Sequence, residues 1–266
     1  MKKISKNLRS AIRASLEAGK KILEVYNSDN FELEFKNDSS PLTKADLLSN
    51  TAILKVLNSD NSIPILSEEG KKIDYNIRKK WKKLWIIDPL DGTKEFVKRN
   101  DEFTVNIALV ENQIPVLGVI YVPVTRDLYF SEKKIGSYKM NMSNFSHNFD
   151  KLIESSTKLP IDSDNTSYTI VASRSHMSDE TEQFINDKKK IYDNIDLISR
   201  GSSLKLCMVE EGKANCYPRY APTMEWDTAA GHAICLYAGF NVIDYVTKKP
   251  MVYNRENLLN NWFIVE

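Results

Sequence analysis

The sequence predicts an α/β protein in two parts, an α+β lobe over residues 1–150 followed by an α/β lobe over residues 151–266. Three observations carry that expectation. Helical spacing of apolar residues dominates the first 60 positions, short strand-like runs follow in series from 104 to 131, and strand and helix alternate beyond 165. A chain of 266 residues sits near the upper size of a single continuous core, about 250–300 residues, so one large unit or two fused lobes both fit.

The elements follow in order. Ile4, Leu8, Ala11, Ile12, Leu16, Ile22, Leu23 and Val25 share one broad helical face. Phe31-Glu32-Leu33-Glu34-Phe35 alternates strictly, as a strand does. A second helix is expected over Thr43–Leu57, with Leu47, Leu48, Ala52, Leu54 and Val56 as its apolar positions. Ile63–Leu66 and Leu84–Ile87 are short apolar runs that each end in carboxylates. Thr104–Val110, Val116–Val122 and Leu128–Ser131 resemble an antiparallel meander. Residues 140–165 show little periodicity and read as a variable loop joining the lobes. Beyond it come a strand (Tyr168–Ala172), a helix (Asp179–Lys189), a strand (Ile191–Ile198) and two helices (Leu204–Glu210, Thr228–Ala238), with no internal repeat.

Composition narrows the function. The chain has 37 Lys+Arg against 36 Asp+Glu and 42% hydrophobic residues. Wholesale disorder is excluded, and the near-neutral balance argues against a generic nucleic-acid binder. Arg78-Lys79-Lys80-Trp81-Lys82-Lys83 reads as a solvated face beside a strand. Cys207, Cys216 and Cys235 form no C-x-x-C pair, which signals neither a disulfide framework nor a thiolate zinc site and fits a reducing compartment. Arg9, Arg13, Glu17 and Lys20 interrupt the N-terminal apolar stretches, so no leader and no membrane span is expected. The expectation is a soluble, cytoplasmic protein, in which any peripheral contact with the inner membrane would rest on the 78–83 run.

Three stretches hold more carboxylates than packing requires. Glu68 and Glu69 end an apolar run; alone they could be a charged turn. Trp85-Ile86-Ile87-Asp88-Pro89-Leu90-Asp91-Gly92-Thr93 drives a buried-type strand straight into two acids. Pro89 fixes one φ and Gly92 permits an unusual one, so Asp88, Asp91 and the Leu90 carbonyl can face one point, although Asp-Pro and Asp-Gly also form plain turns. Gly92-Thr93 can open a short helix whose free amides would receive a phosphate. In Glu225-Trp226-Asp227-Thr228-Ala229-Ala230-Gly231-His232, Asp227 is either a further acid of the group or a helix N-cap. The small residues after it allow close backbone approach, and His232 reads as a packed histidine. Together Glu68, Asp88, Leu90 O, Asp91 and Asp227 form an all-oxygen donor set suited to Mg²⁺ and not to Zn²⁺. Such mutual repulsion calls for two or more cations, and a pair about 3.5–4 Å apart suits phosphoryl transfer.

At these residues the sequence resembles the lithium-sensitive, magnesium-dependent phosphatases of the inositol monophosphatase superfamily. The acidic pair, W-I-x-D-P-[ILV]-D-G-T and W-D-x-A-[AG] occur in the family's order. Ser173-Arg174-Ser175-His176, Gly201-Ser202-Ser203-Leu204-Lys205 and Tyr217-Pro218-Arg219 are similar to segments of its CysQ-type 3′(2′),5′-bisphosphate nucleotidases. The resemblance implies a layered αβαβα sugar-phosphatase fold and hydrolysis of the 3′-phosphate of adenosine 3′,5′-bisphosphate, with 3′-phosphoadenylyl sulfate as second substrate. It implies two or three Mg²⁺ ions on Glu68, Asp88, the Leu90 carbonyl, Asp91 and Asp227. Asp46, in Thr43-Lys44-Ala45-Asp46, would pair with Thr93 to activate water. Gly92, Thr93, Ser173, His176, Gly201 and Lys205 would contact the nucleotide, and Arg174 is a further cation candidate. Two alternatives stay open: an inositol- or sugar-phosphate phosphatase with the same metal site, and a nucleotide-binding sensor without turnover. The retained Asp46–Thr93 pair argues against the sensor.

Overall fold

Serine at position 5 starts the first helix: its hydroxyl accepts from the Leu8 N–H at 3.1 Å, supplying a partner to an otherwise orphaned helix donor. The computed structural model describes residues 3–28, 33–35, 41–60, 63–145, 148–161, 167–172 and 178–266. In chain order the elements are α1 (Lys6–Tyr26), β1 (Glu34–Phe35), β2 (Pro41–Leu42), α2 (Lys44–Asp60), β3 (Ile65–Ser67), α3 (Tyr75–Arg78), β4 (Lys83–Asp91) and α4 (Thr93–Val97). The meander follows as β5 (Thr104–Glu111), β6 (Ile114–Val122), β7 (Asp127–Glu132), β8 (Gly136–Asn141) and β9 (Thr157–Lys158). The remainder is β10 (Tyr168–Ala172), α5 (Asp179–Lys189), β11 (Ile195–Ser199), α6 (Leu204–Glu210), β12 (Tyr217–Arg219), α7 (Glu225–Ala238), β13 (Val242–Asp244) and β14 (Phe263–Val265).

Strands β3 to β9 form a seven-stranded sheet in sequence order, in which β3 pairs parallel with β4 and the later neighbours pair antiparallel. Its central strands are covered on both faces, which is why they read as unbroken apolar runs instead of alternating ones. On one face Trp85, Ile87, Val105, Ile107 and Val119 pack with Leu8, Ile12 and Ile22 of α1 and Ile53 and Leu57 of α2. On the other, Leu84, Ile86, Ala108, Val110 and Ile120 pack with Ala229, Ala230 and Ile234 of α7. A third core joins Leu206 and Val209 of α6 and Cys235 of α7 to Val171, Tyr217, Val242, Phe263 and Val265 of the smaller sheets. These sheets are the parallel pair β10–β11 and the three-stranded β12–β14–β13. Ile170 and Cys216 turn the opposite way, onto Ile185 of α5. The result is five layers, α1/α2, large sheet, α6/α7, small sheets, α5, which is the expected αβαβα arrangement.

Small residues set the spacing of the central layer. A Cβ on Gly118 of β6 would lie 2.2 Å from the Ala230 carbonyl, and one on Gly231 would lie 2.4 Å from Leu206 Cδ1. The small residues after Asp227 thus do allow the close approach foreseen for them.

Several expectations change. Helix α7 begins at Glu225, and Asp227 is its third residue, not its N-cap: Met224 occupies that position. The 140–165 stretch is no plain loop where it is described. It holds two 3₁₀ turns and β9, because Phe145, Phe149, Leu152 and Ile153 are drawn onto the α1 core. The strand foreseen over Ile191–Ile198 covers only Ile195–Ser199. Residues 31 and 32 of the foreseen Phe31–Phe35 strand lie outside the described residues, and Glu34–Phe35 pairs with Pro41–Leu42. Arg78 does not belong to a solvated face. It is buried, and its guanidinium donates to Asn254 Oδ1 at 3.1 Å, Arg255 O at 2.5 Å and Glu256 O at 2.7 Å. The three cysteines are buried and free. Among the described residues no helix is long and apolar enough to cross a membrane.

Candidate active site

The acids gather where β3 and β4 end. Leu66 and Ser67 pair with Ile86 and Ile87, and the Glu68 N–H donates to the Ile87 carbonyl at 3.2 Å, which brings Glu68 level with Asp88. Between Asp88 and Asp91 the pairing of β4 with β5 is irregular: Asp88 faces Asn106, and Asp91 faces Thr104. The extra residue is a bulge, which re-aims side chains at a strand end. Asp88 Oδ1 accepts from the Leu90 N–H at 3.1 Å. Gly92 then adopts φ 91°, a left-handed conformation open to glycine, and caps α4. Ser49 of α2 donates to the Pro89 carbonyl at 2.6 Å, fixing the turn from below.

Asp46 and Thr93 meet as expected. Thr43 and Asp46 form a reciprocal cap on α2: Asp46 Oδ2 accepts from Thr43 N at 2.7 Å and from Thr43 Oγ1 at 2.6 Å, and Ala45 N donates to Thr43 Oγ1 at 3.2 Å. That leaves Oδ1 for Thr93, whose hydroxyl lies 3.2 Å from it and 3.3 Å from the Leu90 carbonyl. One hydroxyl proton serves these two acceptors.

Asp91 is held by hydroxyls that the sequence reading did not single out. Ser202 and Ser203 donate to its Oδ2 at 2.8 and 2.6 Å, and Asn106 Nδ2 lies 3.4 Å from the same oxygen. Asp227, on the first turn of α7, accepts from the Met224 N–H at 2.8 Å. The start of α7 is itself anchored by fully buried Glu225, which accepts from the N–H groups of Asn254 at 2.6 Å and Arg255 at 3.0 Å and from Arg255 Nε at 3.2 Å. Glu225 has no role of its own assigned from the sequence. Its role shows only in three dimensions, because its partners lie about thirty residues downstream.

The electrostatics of the acids favour a nearby positive charge. Burial, then the charges of Glu68, Asp91 and Asp227, push the Asp88 carboxyl well above the usual carboxylate range. Burial and the Asp91 charge push Asp227 up to about 8. Among the described residues no three of these side chains meet at the spacing of a completed metal shell. Yet a buried carboxylate facing three other acids is costly without a positive partner, and an all-oxygen donor set fits a hard cation. His232 is buried against Tyr253, 3.1 Å from its hydroxyl, and burial lowers its pKa to about 3, so it serves packing.

A cavity of about 380 Å³ opens beside Asp91, Gly92 and Asp227. Its wall also carries Gly201, Lys205 and four cations not foreseen as a group, Lys94, Lys98, Arg200 and Arg219. The Gly201 N–H donates to Glu102 Oε2 at 2.8 Å. Lys205 is buried, and its ammonium donates to the carbonyls of Ser202 at 2.6 Å and Arg200 at 3.2 Å. Ser173 and His176, together with Arg174, lie outside the described residues.

Comparison with known proteins agrees with this architecture. Residues 4–264 match the model of the inositol monophosphatase family. The 3′(2′),5′-bisphosphate nucleotidase CysQ of Salmonella typhimurium is 40% identical over 261 residues, 97% of this chain and 98% of that protein. The crystal structure of CysQ from Bacteroides thetaiotaomicron superposes with a TM-score of 0.89 at 52% identity, covering 98% of this chain and 96% of that one. An IMPase from Thermotoga maritima shares the fold, with a TM-score of 0.74 at 22% identity over 98% of this chain and 92% of its own. With its motifs, five-layer fold and near full-length matches in agreement, the chain belongs to the inositol monophosphatase family.

Proposed function

We propose that this protein is a Mg²⁺-dependent phosphatase that removes the 3′-phosphate of adenosine 3′,5′-bisphosphate, giving AMP and phosphate, and that also accepts the 3′-phosphoadenylyl sulfate. The observation that supports this best is one cavity shared by the acid cluster and a set of cations. Asp91 and Asp227 line it together with Lys94, Lys98, Arg200 and Arg219. A substrate with a single phosphate needs only the metal end, whereas a bisphosphate needs positive charge at a second place as well. Relatives that carry the CysQ name match nearly the whole chain, which favours the same substrate here.

Glu68, Asp88, the Leu90 carbonyl, Asp91 and Asp227 would hold two or three Mg²⁺ ions. Bound there, magnesium would neutralise the acids, acidify the attacking water and stabilise charge on the leaving oxygen. The chain supplies the proton path. A water donating to Thr93 Oγ1 passes its proton through that hydroxyl to Asp46 Oδ1, and Asp46 stays oriented because its other oxygen is held twice by Thr43. Gly92 and Gly201 let the walls of the cavity approach one another closely: a Cβ at Gly92 would lie 3.0 Å from the Glu102 carbonyl, and one at Gly201 would lie 2.8 Å from Glu95 Cγ. Ser173 and His176 are assigned to the nucleotide on the resemblance alone. Lys205 serves the same cavity by holding the 200–203 loop. A reducing, cytoplasmic setting suits three buried free thiols.

Phosphate release with Mg²⁺ tests the assignment. The kcat/KM on adenosine 3′,5′-bisphosphate should exceed that on inositol 1-phosphate by more than tenfold. The reverse order would assign the protein to inositol or sugar phosphates, and binding without release would make it a nucleotide sensor.

A further inference from the structure

A second cavity, of about 530 Å³, lies between α1 and the segment after β8 and shares no lining residue with the cavity beside the acids. Leu16 and Leu23, two helical turns apart on α1, form one wall, and Met142, Phe145 and Phe149 form the other. Tyr121 closes it at the end of β6. The Tyr121 ring fits there because position 19 has no side chain: a Cβ on Gly19 would lie 2.4 Å from Tyr121 Cε1.

The charged side chains lining this cavity are mostly positive, Arg13, Lys20 and Arg126 against Glu17. The Tyr121 ring is buried, its hydroxyl makes no hydrogen bond to another described residue, and a phenol can donate one to a ligand in the cavity it lines. Arg13 and Arg126 also line the cavity, and among the described residues neither is in an ion pair. The neighbouring cations are already engaged: Lys20 pairs with Glu17 at 2.7 Å, and Arg9 pairs with Asp150 at 3.3 Å while lying over the Phe149 ring. Arg126 stands close enough to the phenol to oppose part of the rise in its pKa that burial causes. Its backbone adopts φ 61°, and its N–H closes a turn onto the Val122 carbonyl at 2.8 Å, which fixes the origin of the side chain beside Tyr121.

We propose that this cavity is a binding site for a small amphipathic anion, an acyl carboxylate whose head group meets Arg13, Arg126 and the Tyr121 hydroxyl while its chain lies among Leu16, Leu23 and the three residues of the opposite wall. Guanidinium groups match a carboxylate in geometry and charge, a neutral phenol adds one donor, and the apolar walls gain by covering a hydrocarbon chain. A cationic amphiphile would meet two uncompensated guanidinium groups.

The test uses the full-length protein with Mg²⁺ and decanoate below its micelle concentration, followed by calorimetry. Decanoate should bind with one equivalent, and decyltrimethylammonium, of equal chain length, at least tenfold more weakly. Arg13→Gln or Arg126→Gln alone should weaken decanoate about tenfold, the loss of one charge-assisted contact, the two together should weaken it more than either, and Tyr121→Phe should weaken it severalfold. Phosphatase turnover and melting temperature should remain those of the wild type in these variants. Equal binding of the cation, unchanged decanoate binding in the double Arg variant, or displacement by inorganic phosphate would overturn the site. So would binding to anionic vesicles without binding to monomeric decanoate, which would make this face a membrane contact.

Discussion

The ammonium of Lys205 donates to the Ser202 carbonyl at 2.6 Å, and the hydroxyl of that same Ser202 donates to the Asp91 carboxylate at 2.8 Å. One residue, in a left-handed conformation with φ 49°, therefore connects a buried lysine to a proposed metal ligand. A left-handed serine is costly and persists only where its surroundings over-determine it. Lys205→Met should release it. Hydrogen bonds to a charged group contribute roughly 1.5–3 kcal/mol, so kcat/KM should fall about ten- to a hundredfold. The loss should be shared by adenosine 3′,5′-bisphosphate and a small monophosphate to within about threefold, and half-activation should need more Mg²⁺. A loss confined to the nucleotide, with unchanged Mg²⁺ dependence, would instead place the Lys205 ammonium directly on the substrate.

Asp88 is the acid most crowded by its neighbours. Asp88→Asn removes a charge that three others oppose, so the metal-free protein should fold and melt at or above the wild-type temperature. Turnover should vanish, because a carboxamide would hold a hard cation poorly. Side-by-side melting curves and phosphate-release rates check this, and retention of more than a tenth of the activity would rule out Asp88 as a proposed metal ligand.

Magnesium should stabilise the protein more strongly as pH rises. The folded-state pKa values of Asp88 and Asp227 are raised above the unfolded value of about 3.9. Between that value and about 8 these two groups bind more protons in the folded metal-free chain than in the unfolded one, so their contribution to stability is fullest at low pH and declines as pH rises. Cation binding supplies the missing charge and adds stability by mass action. The Mg²⁺-induced rise in melting temperature should accordingly be larger at pH 8.5 than at pH 6, and a flat or inverted dependence would count against the acid cluster as the binding site.

Gly118→Ala addresses the distance between sheet and helix. With Ala230 O only 2.2 Å from the new methyl group, α7 must shift, at a cost of about 1–3 kcal/mol. For a protein of this size that lowers the melting temperature by several degrees. Because α7 also carries Asp227, activity should fall more than the fraction of unfolded protein explains. Melting curves and rates measured on the same samples separate the two effects.

Much of this was legible in the sequence because it rests on local pattern. The unbroken Leu84–Ile87 run predicted a buried-type strand, which the structure covers on both faces, and Asp-Pro-Leu-Asp-Gly predicted a tight turn with an unusual φ at Gly92, which is 91°. Asp46 and Thr93 came together as the motif implied. What stayed hidden depends on contacts across long separations. Ser202 and Ser203 stand more than a hundred residues from Asp91 in the chain, and short hydroxyl side chains carry no periodic signal. Arg78 looked like one more cation of a basic run, yet it alone turns inward to three acceptors on residues 254–256. The alternative of Asp227 as an N-cap stayed open in the sequence because side chains at the N-cap and at the third helical position can both bond the first turn, and only the structure gives the cap to Met224.

That inward-turned Arg78 bears on how the molecule can move. It ties the segment after β3 to residues 254–256, Glu225 ties residues 254–255 to the start of α7, and α7 carries Asp227. The early acids and the late one are thus fastened through a run of buried polar bonds in series, and the two halves of the chain can swing apart only where that run is broken. Hinged closure around a ligand, common where a site is shared between separable bodies, is opposed here by those bonds. Entry of substrate and release of products are therefore expected to use movements of side chains and short loops before movements of a lobe.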